Sequence, residues 1–113
     1  MHCGRLRGNS RNRPFSFKMV IDFHAHFYPE KVAAKALVCA ARIPAWSDGT
    51  RSGLEASMRE AGIDLAVGLT VVNAPGNSTN INAWAVRENR RPLIMTGGIH
   101  PDEPEPLRTI ETV

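Results

Sequence analysis

From Met19 onward the chain alternates short runs of β-forming apolar residues with longer stretches of helical periodicity, and this alternation constrains the fold more than any other feature. Val20 to Phe27 reads as a strand. Val, Ile and Phe are concentrated there, and period-two alternation places Ile21, Phe23, Ala25 and Phe27 on one face and Asp22, His24 and His26 on the other. Pro29 suits a first helical turn, after which Val32, Ala33, Ala36, Leu37 and Ala40 recur at helical spacing up to the break at Arg42-Ile43-Pro44. Asp48-Gly49 reads as a turn. Ser52-Gly53-Leu54-Glu55 matches a capping box, with Ser52 as N-cap and Glu55 reaching back to its amide; a short helix then turns Leu54, Met58 and Ala61 inward and stops at Gly62. Ile63 to Val72 is nearly continuous in apolar β formers apart from Asp64, the pattern of a strand covered on both faces. Asn73 to Ser78 is a loop. Ile81, Trp84, Ala85 and Glu88 share one side of a helix ending before Pro92, and Leu93 to Ile99 forms a third strand closing on His100-Pro101. Pro101 to Pro106 is a loop, and a last helix begins at Leu107.

The order β-α-α-β-α-β-α predicts an α/β fold with parallel strands and right-handed crossovers. A complete (β/α)8 TIM barrel takes roughly 250 residues. At 113 residues the chain is therefore expected to supply the first three β-α units of an incomplete barrel. Its third strand is then an unpaired edge and its interior face lacks cover, which predicts marginal stability or self-association.

Composition matters here through where the charge sits. Residues 1–18 hold Arg5, Arg7, Arg11, Arg13 and Lys18 and no acid, whereas residues 19–113 carry the other nine bases and all eleven acids. The net charge of +3 thus divides into a +5 segment and a −2 remainder. Rich in Gly, Asn and Ser, residues 1–18 bury too little apolar surface to offset their conformational entropy and read as a disordered basic tail. Such a tail fits a nucleic-acid-binding arm, an Arg-rich transit peptide, or a translation start assigned upstream of Met19. Nucleic acid is not the favoured partner, because only seven aromatic residues occur in the whole chain and two of them, Phe15 and Phe17, lie in the tail. No run of about 18 apolar residues is present for a membrane span, and the first residues lack the apolar core of a secretory signal. Cys3 and Cys39 form no framework; Cys39 reads as a small buried hydrophobe, and both fit a reducing cytoplasm.

The chemistry concentrates in Asp22-Phe23-His24-Ala25-His26. Residues two apart on a strand point the same way, so two imidazoles can converge on one metal ion with N–metal distances of about 2.0–2.1 Å. Asp22, one repeat earlier, is placed to steady an imidazole or a neighbouring polar group. The pair ends the first strand, and sites in parallel α/β folds form at the carboxyl ends of strands. His100 ends the third strand after Gly97-Gly98 and is expected on the same rim, in contact with substrate or supporting the site; Gly97-Gly98 hints at a close backbone approach. Asp102, Glu103 and Glu105 read as a solvated acidic loop.

Val20-Ile-Asp-Phe-His-Ala-His-Phe-Tyr-Pro29, the Ala-rich helix after it, the second strand ending in Val71-Val72 and Gly98-Ile99-His100-Pro101 together resemble the N-terminal part of a metal-dependent hydrolase of the amidohydrolase superfamily. The amidohydrolase-related branch is the nearest match, with TatD-like hydrolases as relatives through their Gly-x-His-Pro at the third strand. The resemblance spans Met19 to about Val113. It implies a (β/α)8 barrel holding one or two divalent ions, zinc above all, with His24 and His26 as metal ligands. It implies hydrolysis of a small molecule by attack of metal-activated water on an amide- or ester-type carbon; decarboxylation and phosphodiester cleavage are the related alternatives. Members of the family complete the site with histidines from later strands and an aspartate from the last strand that shuttles the proton. No histidine follows His100, and two histidines are one short of the usual three protein ligands of catalytic zinc, so this chain alone is expected to be inactive. A homo-oligomer is compatible with these features. The reading of a different class is a small α/β binding module with structural histidines.

Overall fold

A computed structural model describes residues 18–39 and 45–112. The basic segment up to residue 17, Cys3, Ala40, the Arg42-Ile43-Pro44 break and the side chain of Cys39 lie outside the described residues. The elements are β1 (Ile21–Ala25), α1 (Glu30–Cys39), α2 (Arg51–Ala61), β2 (Leu65–Gly68), α3 (Ser78–Glu88), β3 (Leu93–Met95) and α4 (Pro106–Glu111). The strands form one open parallel sheet in the order β1-β2-β3. An α/β fold with three parallel strands is thus observed.

Two sheet faces differ in cover. Ala66 pairs with Leu93 and Gly68 with Met95, and this face lies under Leu54 and Met58 of α2 and Trp84 of α3, where Ala25, Phe27, Met58, Ala66 and Leu93 make the core. Opposite it, Leu65 is buried beside Ile21, which is 37% exposed, and Ile94 next to Val67 is 45% exposed. Phe23, expected inward with Ala25, is 73% exposed.

All three strands are shorter than their apolar runs. Expected over residues 63–72, β2 stops at Gly68, where both of its neighbours stop pairing: Ala25 on one side and Met95 on the other. Beyond that point apolar character persists to Val72, but the Leu69 amide, donating to the Ala25 carbonyl at 2.9 Å, makes the closing ladder-like bond to β1. Similarly β3, expected to reach Ile99, ends at Met95. After Thr96, whose amide donates to the Gly68 carbonyl at 3.0 Å, the side chain of Asn82 takes the place of a strand partner for Gly98. Its Oδ1 accepts from the Gly98 amide at 2.8 Å and its Nδ2 donates to the Gly98 carbonyl at 2.9 Å. Asn82 is 4% exposed, so this peptide-like pairing sits in a dry environment and ties α3 to the end of β3.

The capping box is corrected. Thr50, not Ser52, is the N-cap of α2, its hydroxyl accepting from the Gly53 amide at 3.1 Å. Asp48 sets Thr50 in place, with Oδ1 accepting from both its amide (2.9 Å) and its hydroxyl (2.7 Å). Glu55 is drawn instead to Arg51 at 2.7 Å. That guanidinium also donates to the Glu88 carbonyl at 2.7 Å, to the Glu88 carboxylate at 3.1 Å and to the Arg90 carbonyl at 2.9 Å, fastening the start of α2 to the end of α3 and to the turn into β3. Of the expected inward residues of α2, Met58 is buried and Leu54 half-buried, whereas Ala61 is exposed. Gly62 ends the helix at φ 73°, a left-handed conformation that costs glycine little.

Candidate metal centre

The first strand departs from strict alternation at the residues that matter. Asp22 pairs with Ala66 and Ala25 with Gly68, so three steps of β1 run against two of β2. Through this irregularity Asp22 shares the helix-covered face with Ala25, contrary to the alternating pattern that grouped it with the histidines. Its Oδ1 accepts from the His24 backbone amide at 2.9 Å, which holds the main chain at the irregular step.

His24 and His26 do converge. Their Nε2 atoms are 3.0 Å apart, with ring centroids 4.9 Å apart at an interplanar angle of 73°. The protonation pattern follows from the partners. His26 Nδ1 lies 3.0 Å from the Leu69 carbonyl oxygen, which can only accept, so Nδ1 carries the proton and Nε2 of the neutral ring carries a lone pair. His24 therefore donates its Nε2–H to His26. Leu69 is the residue that sequence reasoning missed: it follows β2 directly, and its own amide donates to the Ala25 carbonyl at 2.9 Å, so the anchor is built on the sheet. A main-chain acceptor leaves no mark in the residue types, so no sequence signal pointed to it.

For a metal at about 2.0–2.1 Å from each nitrogen, tetrahedral donors stand about 3.3–3.4 Å apart. The observed 3.0 Å separation needs only a slight opening of the rings, and both residues are exposed at the carboxyl end of the sheet. The donor set fits a divalent ion of borderline softness such as zinc. Among the described residues no group of three or more His, Cys, Asp or Glu side chains is assembled to hold a metal. His100 thus does not join the pair.

His100 is held by another network. Its amide donates to Ser78 Oγ at 3.2 Å, and its Nδ1 accepts from the Asp102 amide at 3.1 Å, which leaves the proton of the neutral ring on Nε2. Ser78 donates in turn to Glu103 Oε2, which also accepts from the Gly76 amide at 3.1 Å. Glu103 is accordingly a tie between the third-strand loop and the start of α3, a correction to its reading as part of a solvated loop; Asp102 and Glu105 are exposed. The Gly97-Gly98 hint has a definite content. A Cβ on Gly98 would lie 2.3 Å from Thr70 Oγ1, itself buried without a hydrogen-bond partner among the described residues.

A hollow of about 340 Å³ adjoins the pair, lined by Asp22, His26, Tyr28, Leu37, Trp46 and Leu54 among others. A larger one of about 460 Å³, lined by Glu103, Arg108 and Thr112, contains none of these histidines and offers no comparable donor set. No helix among the described residues is long and apolar enough to cross a membrane.

Comparisons with protein-family models, curated proteins and solved structures returned no match. The functional reading therefore rests on residues and geometry.

Proposed function

We propose that this chain is the N-terminal part of a metal-dependent hydrolase of the amidohydrolase type, its three strands opening a (β/α)8 barrel and His24 and His26 holding a divalent ion, zinc above all. The observation that carries this reading is the 3.0 Å approach of two exposed Nε2 atoms, one of them oriented by the Leu69 carbonyl, at the carboxyl edge of a parallel sheet. When bound, such an ion supplies Lewis acidity, polarising a carbonyl or phosphoryl oxygen and lowering the pKa of a coordinated water toward about 7.

The chain's own residues prepare for that chemistry. The Leu69 carbonyl keeps the His26 proton on Nδ1 and the ring turned outward, so little rotamer entropy is lost on coordination. Asp22, through the His24 amide, keeps the main chain at the bend that brings the second ring alongside. His100 presents an Nε2–H at the end of the β3 segment, suited to hydrogen-bond an oxygen of a small-molecule substrate rather than to ligate metal. Hydrolysis of an amide- or ester-type bond is the reaction this arrangement serves, with decarboxylation and phosphodiester cleavage as the variants of the same site. The proton shuttle is not assigned to any residue here. The test is metal content: the protein loaded with zinc and dialysed should retain the ion, and the His24→Ala/His26→Ala double variant should not. Retention of the full metal content by that variant would defeat the assignment.

A further inference from the structure

We propose that Glu103 is a positioning residue for His100: through the Ser78 hydroxyl, its carboxylate seats the turn that keeps the proton of the His100 ring on Nε2. The inference rests on the reading of His100 as a hydrogen-bond donor to substrate and goes beyond it. The two loops concerned follow β2 and β3, at the carboxyl edge where sites of parallel α/β folds form. His100 is fastened there at three atoms. Its amide donates to Ser78 Oγ at 3.2 Å, its carbonyl accepts from the Glu103 amide at 3.0 Å, and its Nδ1 accepts from the Asp102 amide at 3.1 Å. The last two bonds close a turn over residues 100–103, and the first seats that turn against the start of α3.

The Ser78 bond has its direction set by Glu103. Ser78 is fully buried and its hydroxyl has one proton; a carboxylate only accepts, so the proton goes to Glu103 Oε2 at 2.5 Å and a lone pair is left for the His100 amide. The same carboxylate oxygen accepts from the Gly76 amide at 3.1 Å, so one side chain ties the loop after β2 to the loop after β3. Asn77, the N-cap of α3, makes no side-chain cap bond, and the charge of Glu103 also suits the start of that helix. With the acceptor removed, the buried hydroxyl turns its proton toward other groups. A donor facing the His100 amide breaks the bond that seats the turn, and the Asp102 amide then loses its hold on Nδ1.

The full chain, labelled with ¹⁵N, is followed by long-range ¹⁵N–¹H spectra of the His100 ring and by amide hydrogen exchange. In Glu103→Ala and in Ser78→Ala the two ring nitrogen shifts of His100 should converge as both tautomers fill, and exchange of its amide should quicken about tenfold, the loss of one hydrogen bond. Glu103→Gln, which keeps a carbonyl acceptor, should restore both. Ser78→Ala leaves the Glu103 bond to Gly76 in place and so separates positioning from capping. The amides of Ala66 and Leu93 in the sheet should stay protected in all three variants. A His100 ring that keeps its Nε2–H tautomer in both alanine variants would overturn the proposal while leaving the reading of His100 as a donor standing. Mixed tautomers or Nδ1–H in the unaltered chain would overturn both. Glu103→Gln behaving like Glu103→Ala would place the effect in the charge at α3, and a change at His100 only alongside lost protection at Ala66 and Leu93 would place it in general unfolding; either overturns the proposal.

Discussion

The two histidine sites at the strand ends are built from opposite halves of the imidazole. After β1, His26 donates from Nδ1 to a carbonyl and turns a lone pair outward; after β3, His100 accepts at Nδ1 from an amide and turns an N–H outward. The residue type is the same, but His26 follows β1 directly whereas His100 lies five residues past the end of β3. The difference lies in which backbone group meets Nδ1, and it decides whether the ring can ligate a metal or donate to an oxygen. A further histidine beyond a strand is therefore not automatically a third ligand.

The largest expected effect breaks that comparison at the metal. His26→Ala should weaken zinc affinity by at least about a hundredfold, beyond the loss typical of an outer partner, whereas His100→Ala should leave the isotherm of a calorimetric titration unchanged. Long-range ¹⁵N–¹H spectra sharpen it: His26 should show the Nδ1–H tautomer and His100 the Nε2–H tautomer, and zinc should move only the ring signals of His24 and His26.

The next effects concern what supports each end. Asn82→Ala removes both bonds to Gly98 and leaves a half-buried amide and carbonyl unpaired, a cost of about 1–2 kcal/mol in urea unfolding, without loss of zinc affinity at β1. Gly98→Ala should cost about 1–3 kcal/mol by forcing a methyl against Thr70 Oγ1, and adding Thr70→Ala should recover part of it, a coupling visible in a double-mutant cycle.

The smallest effect is in pH. The Thr50 hydroxyl and amide both donate to Asp48, holding its carboxyl below the ordinary carboxylate range. A depressed value in the folded state means stability that is present above about pH 4 and lost as pH falls through the folded value. Fraying of the first turn of α2 in acid, followed by amide exchange at Gly53, should accordingly be abolished in Asp48→Asn.

Much of the chain order was legible in the residues. The apolar runs located all three strands, helical periodicity located α1, α2 and α3, Gly62 marked its helix end, and His-x-His marked the pair that converges. Strand lengths were not legible, because the β-forming residues of Leu69–Val72, and Thr96 and Ile99 after β3, continue past the point where the ladder partners end. Nor was the N-cap, since Thr50 and Ser52 are equally competent and the choice fell to Asp48. The placement of Asp22 failed for a related reason: alternation assumes a regular strand, and the register irregularity before Ala25 exchanged its face.

What the sequence by itself determined is the kind of element at each place and the residue types at the edge of the sheet, because periodicity and side-chain chemistry are local properties. Only the tertiary structure decided which way each imidazole faces, how Glu103 and Asn82 are used and where the ladders stop. Those outcomes depend on backbone carbonyls and amides brought from distant segments, such as Leu69 to His26 and Gly98 to Asn82, and every residue carries the same backbone groups.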